Sequence, residues 1–113
     1  MKDELVYLAH IQDCLDRIGK YTMRGRNQFF EDTMAQDAVI RNLQTLAEAC
    51  QKISEALKSN HQEVDWKGIY GLRNVLVHDY LGIDLEQIWD IIEKDLPQLK
   101  KAISKMANEI KQR

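Results

Sequence analysis

Five residues able to do chemistry fall within eight positions: Arg73, Asn74, His78, Asp79 and Tyr80, at the end of the stretch WKGIYGLRNVLVHDY, residues 66–80. An imidazole with a pKa of about 6.5 can take or give a proton at neutral pH. A guanidinium offers a planar fork of donors that matches a phosphate or a charged transition state. Together they suit chemistry at a phosphate group. A structural reading stands beside this one. His78 can favour a helix C-terminus as a cation, and Arg73 can pair with a neighbouring acid.

The stretch that carries these groups reads as a helix. Asp65 is a suitable N-cap, because its carboxylate can accept from a free amide of the first turn. Gly82 is a stop signal. Trp66, Ile69, Leu72, Leu76 and Tyr80 fall on one face, with Arg73 close to it. Asn74 and His78 form an i,i+4 pair on a neighbouring face. Gly68 and Gly71 each cost a helix roughly 1 kcal/mol relative to Ala, which suggests close packing against this segment. Polar groups on an apolar helix need internal partners or a cleft.

The elements that must hold this helix are also helical. Leu5, Leu8, Ile11, Leu15 and Ile18 recur at helical steps across residues 3–21. A second, semi-polar stripe of Tyr7, His10, Cys14, Arg17 and Tyr21 could line a groove or a subunit interface, or simply flank a wide core face. Gly25 and Asn27 mark a loop over residues 22–33, which Phe29 and Phe30 should pin to the core. Thr33 or Asp32 can cap a helix that runs to about Lys58, with Val39, Leu43, Leu46, Cys50, Ile53 and Leu57 as its stripe. Residues 59–64 read as a polar loop with His61 exposed and idle. Asp84 should cap a helix burying Leu85, Ile88, Trp89, Ile92 and Leu96. Pro97 suits a first helical turn, so a break is expected at Asp95–Leu96, with Asp95 capping a last helix. Leu96, Leu99, Ile103, Met106 and Ile110 are its apolar stripe.

These elements predict an all-α chain, an antiparallel up-and-down bundle of four main helices with the last broken near Pro97. At 113 residues the chain suits a single helical domain over residues 1–113. The wide apolar coverage of the first helix and of the motif helix exceeds what one small bundle needs, which predicts a homodimer.

Composition narrows the setting. Apolar residues make up 44% and charged residues 30%, a balance typical of soluble globular chains. No window approaches an uninterrupted apolar span, so no membrane segment is expected. The first ten residues lack an apolar run of signal length, which predicts a cytoplasmic protein. Cys14 and Cys50 sit at apolar helical positions and are expected as reduced core residues, with no metal site. The net charge of −2 does not suit bulk attraction to nucleic acid, so any contact with RNA must be local. Basic clusters occur at Lys20, Arg24 and Arg26 and along the tail from Pro97, and both can be plain solvated faces.

The pattern R-x4-H-x-Y, spelled here Arg73-Asn-Val-Leu-Val-His78-Asp-Tyr80, resembles the HEPN superfamily and, within it, the HepT toxins of HepT/MntA (type VII) toxin–antitoxin systems. The resemblance extends over essentially the full chain, including the Trp66 start of the motif helix, Gly-Ile-Asp-Leu at 82–85 and WDIIEKDLPQLK at 89–100. It implies a metal-independent endoribonuclease toxin, homodimeric, acting on mRNA or tRNA. It implies Arg73 and His78 as the catalytic pair, with Asn74 and Asp79 supporting. It also implies a partner, an MntA-like nucleotidyltransferase antitoxin that transfers AMP from ATP to Tyr80. No cofactor is implied. RNA supplies its own nucleophile in the 2′-hydroxyl, so the residue types fit. A second reading remains: a non-catalytic helical partner that serves a minimal nucleotidyltransferase as substrate or nucleotide-binding subunit.

Geometry raises one question. Five residues separate Arg73 from His78, about 140° around an ideal helix. Either the helix loosens before His78, or two motifs meet across a two-fold axis so that one subunit's Arg works beside the other's His. The dimer is the favoured answer.

Overall fold

The computed structural model describes residues 2–78 and 84–112, and for residues 2–3 and 73–78 the backbone alone. All regular structure among them is helical. Helix α1 spans Lys2–Tyr21, α2 Arg26–Glu31, α3 Thr33–Gln51, α4 Glu55–Ser59, α5 Trp66–His78, α6 Leu85–Asp90 and α7 Leu96–Lys111. Helices α1 and α3 pack along each other; α5 lies on α3 and α7 on α1. The motif helix is therefore an outer member of the bundle, seated on one of its two central helices.

The core follows the apolar stripes. Leu8, Ile11 and Ile18 of α1, Val39, Leu43 and Leu46 of α3, and Leu99, Ile103 and Met106 of α7 are all essentially inaccessible to water. Ile69 and Leu72 bring α5 into the same cluster. Cys14 and Cys50 are buried free thiols, as expected. Burial pushes both thiol pKa values up, that of Cys50 to about 12.

Four local expectations are corrected. Residues 22–33 are not all loop: a positive φ of 94° at Gly25 turns the chain into the short helix α2. Phe29 is buried there, with its ring edge-on to Phe30 and 5.5 Å from Trp89. The second long helix does not reach Lys58. It ends at Gln51, and Ser54 starts α4 by accepting a hydrogen bond from the Leu57 amide. The Ser54 amide in turn donates to Glu4 Oε1 at 2.7 Å, so a cap and a tertiary contact outcompete continuation of the helix. Ile53 and Leu57 are still buried, because the stripe continues across the bend.

The third correction concerns the expected break at Asp95–Leu96. The chain passes from α6 to α7 through one π-helical turn, Ile91–Asp95, without leaving helical geometry. The Leu96 amide donates to the Ile91 carbonyl, and Asp95 makes no side-chain cap. A wider turn accommodates Pro97, which has no amide proton and crowds the carbonyl four residues back. The fourth is His61, which is 4% exposed rather than idle at the surface. Its Nε2 lies 3.0 Å from Glu109 Oε1 on α7 and its Nδ1 3.4 Å from Glu63 Oε1.

Candidate functional site

Helix α5 carries the candidate residues, and its start is built as the sequence suggests. The Asp65 carboxylate accepts from the Gly68 amide at 3.0 Å. A Cβ on residue 68 would stand 2.6 Å from Asp65 Oδ2, so Gly68 clears space for the cap. The expectation of close packing at Gly71 is not met, since a Cβ there has nothing within 4 Å.

Two residues that the sequence did not mark as buried, Lys58 through its side chain and His61 through its backbone carbonyl, tie α5 down. Lys58 is 2% exposed, and its ammonium donates to the Cys50 carbonyl at 3.1 Å and to the Tyr70 hydroxyl. Glu55 Oε1 lies 3.2 Å from the same nitrogen. A buried ammonium needs such partners, and Tyr70 sits only three residues before Arg73. At the other side of the helix start, the Trp66 indole donates to the His61 carbonyl at 3.0 Å. The α4 region thus grips the first turns of the motif helix. No periodicity signal marks Lys58 or His61 in the sequence, because their burial depends on where α4 folds back.

The backbone of α5 is α-helical through His78. Positions 73, 74 and 78 therefore sit on one uninterrupted helix, and of the two alternatives the backbone shows no loosening before His78. By helical spacing, positions 73 and 78 lie about 140° apart around the axis, and positions 74 and 78 are one turn apart. Asp79 and Tyr80 lie outside the described residues. The segment resumes at Asp84, whose carboxylate caps α6 through the amides of Glu86 and Gln87, as the sequence indicates. Among the described residues, no three His, Cys, Asp or Glu side chains gather to hold a metal ion, and no helix is long and apolar enough to cross a membrane.

Comparison with known proteins extends this picture. A family model described as ribonuclease HepT-like matches residues 11–106. A Methanocaldococcus jannaschii protein, named as a gamma-glutamylcyclotransferase and provisionally an RNase, is 33% identical over 110 residues, covering 96% of this chain and 50% of that protein. The chain thus spans about half the length of that relative. A Thermococcus cleftensis protein named "Probable ribonuclease HepT" is 33% identical over 104 residues, 88% of this chain and 92% of the relative. A Shewanella oneidensis protein named mRNA nuclease HepT is 28% identical over 120 residues, 85% of this chain and 90% of the relative. No solved structure matches the chain. A match over residues 11–106 takes in every helix that grips the motif and the motif itself, and the chain belongs to the ribonuclease HepT-like family.

Proposed function

We propose that this protein is an endoribonuclease toxin that cleaves RNA without a metal ion, acts as a homodimer of antiparallel bundles in the cytoplasm, and is neutralised by AMP transfer to Tyr80. The observation that carries this reading is the R-x4-H-x-Y motif on and just beyond α5, in a chain of the HepT-like family. The relative named mRNA nuclease supports RNA as the substrate class.

In the proposed reaction the 2′-hydroxyl oxygen attacks the adjacent phosphorus, and the bond to the 5′-oxygen breaks. His78 moves a proton in this exchange, either from the 2′-hydroxyl or to the leaving oxygen, a contribution of roughly 10²–10⁴-fold. Arg73 donates to the phosphate oxygens as charge builds on them. Asn74 and Asp79 support the pair. The products are a 2′,3′-cyclic phosphate and a 5′-hydroxyl. The regular helical backbone up to His78 favours a composite site, in which Arg73 of one subunit serves beside His78 of the other.

Neutralisation follows the same chemistry of charge. The Tyr80 phenol oxygen attacks the α-phosphorus of ATP held by an MntA-like nucleotidyltransferase, pyrophosphate leaves, and the phenol proton is lost. The added phosphate and base then block RNA by charge and bulk.

The test is direct. Purified protein in EDTA should cleave RNA to cyclic-phosphate ends, and His78→Ala should not. If wild type and His78→Ala are equally inert, the protein is instead the non-catalytic partner or nucleotide-binding subunit of a nucleotidyltransferase.

A further inference from the structure

The basic cluster at Lys20, Arg24 and Arg26 is split by the fold. Arg26 is committed: its guanidinium pairs with Glu86 of α6 and lies 4.3 Å from the centre of the Phe30 ring. Lys20 and Arg24 instead line a groove of about 600 Å³ between the end of α1 and the first turns of α3. Neither has an ion pair with another described residue. Asp32 is the acid among the lining residues, and its Oδ1 accepts from the Ala35 amide at 3.1 Å, which draws it to the start of α3.

The same groove holds apolar surface left open to water. Tyr21 is 40% exposed, Met23 79% and Met34 82%. Buried Phe29 forms part of its floor. Cations beside an exposed aromatic ring are what a single nucleic acid strand requires, phosphates meeting the cations and a base stacking on the ring. Polarizable methionines suit the flanks of such a base.

The groove's wall is linked to the element that follows the motif segment in the chain. The Arg26–Glu86 pair joins α2, the wall next to the groove, to the first turn of α6.

We propose that this groove is a subsite for single-stranded RNA, in which Lys20 and Arg24 hold successive phosphates and Tyr21 stacks a base of the strand that flanks the cleavage point. The identity of the strand rests on the ribonuclease reading above; the groove's chemistry does not. Such a groove would give a chain of net charge −2 a local attraction for RNA.

The experiment measures anisotropy of a fluorescein-labelled, 2′-O-methylated RNA oligomer of about 12 nucleotides, a length within the range of single-strand sites. The probe has no free 2′-hydroxyl, so its binding is read apart from cleavage. Lys20→Gln with Arg24→Gln should weaken binding at least tenfold and make the log–log salt slope shallower by about 1.4, as expected for two lost phosphate contacts. Tyr21→Ala should weaken it about tenfold, while Tyr21→Phe, which keeps the ring, should bind as wild type. All three positions are exposed, and unchanged melting curves confirm folding. Wild-type affinity in both Lys20→Gln/Arg24→Gln and Tyr21→Ala overturns the proposal, as does failure of the wild type to bind the probe. Unchanged RNA affinity with altered sedimentation overturns it too and makes the groove a protein interface. If binding depends on the groove but cleavage does not depend on His78, the subsite stands and the ribonuclease reading falls. If cleavage needs His78 and binding ignores the groove, the reverse holds.

Discussion

Cys50 shows how one buried side chain sets a pH limit on the fold. It is fully enclosed, and burial raises its thiol pKa to about 12 from an ordinary 9.0. Above pH 9 the unfolded chain releases this proton while the folded chain keeps it. Unfolding then gains ground, so stability falls as pH rises from 9 towards about 12 and is unaffected below 9. Denaturant melts across that window should show a decline that is shallower in Cys50→Ala. At Tyr80 the expectation is functional. Under the proposed function, Tyr80→Phe removes the acceptor oxygen and nothing else, so toxicity on expression should persist while neutralisation by a co-expressed MntA-like nucleotidyltransferase should be lost. Growth rescue of Tyr80→Phe equal to wild type would end that assignment.

At the scale of the element, α5 is a helix whose two glycines differ in purpose. A methyl group at residue 68 would collide with the Asp65 cap, whereas residue 71 has open space around its missing Cβ. Gly71→Ala should therefore stabilise by about 0.5–1 kcal/mol through helix propensity, and Gly68→Ala should gain less or lose stability as the cap is displaced. Equal shifts in thermal melting for the two would contradict the distinction. Much of this element was readable beforehand: the Asp65 cap, the buried Ile69 and Leu72, and the Asp84 cap of α6 all follow from local rules. The short helices α2 and α4 were not. Their lengths, 6 and 5 residues, give periodicity too little to repeat. The π-helical turn before Pro97 likewise leaves no signal in side-chain spacing distinct from a break.

For the whole molecule, the question is how many chains make a site. Under the proposed function, the helical spacing of positions 73 and 78, about 140° around the axis, makes a composite site from two motifs across a two-fold axis the expectation to test. Mixing Arg73→Ala with His78→Ala subunits should then restore about a quarter to half of wild-type cleavage, because one of the two composite sites in each mixed dimer keeps both groups. Subunit exchange is followed by native mass spectrometry. Confirmed mixed dimers without activity would place both groups in one chain. Sedimentation should show a dimer at micromolar concentration, and a monomer there would count against the composite site.

The order of residues along the chain was enough to determine an all-helical fold, the stripes that form its core and a candidate motif, because helix periodicity and capping act over four residues or fewer. Tertiary packing alone decided that Lys58 and His61 are buried against α5 and α7, and that Arg26 is spent on Glu86 while Lys20 and Arg24 remain open in a groove. Those outcomes depend on which distant surfaces meet. Burial of a charge is acceptable only where a partner from another element stands ready, and no local pattern records that partner.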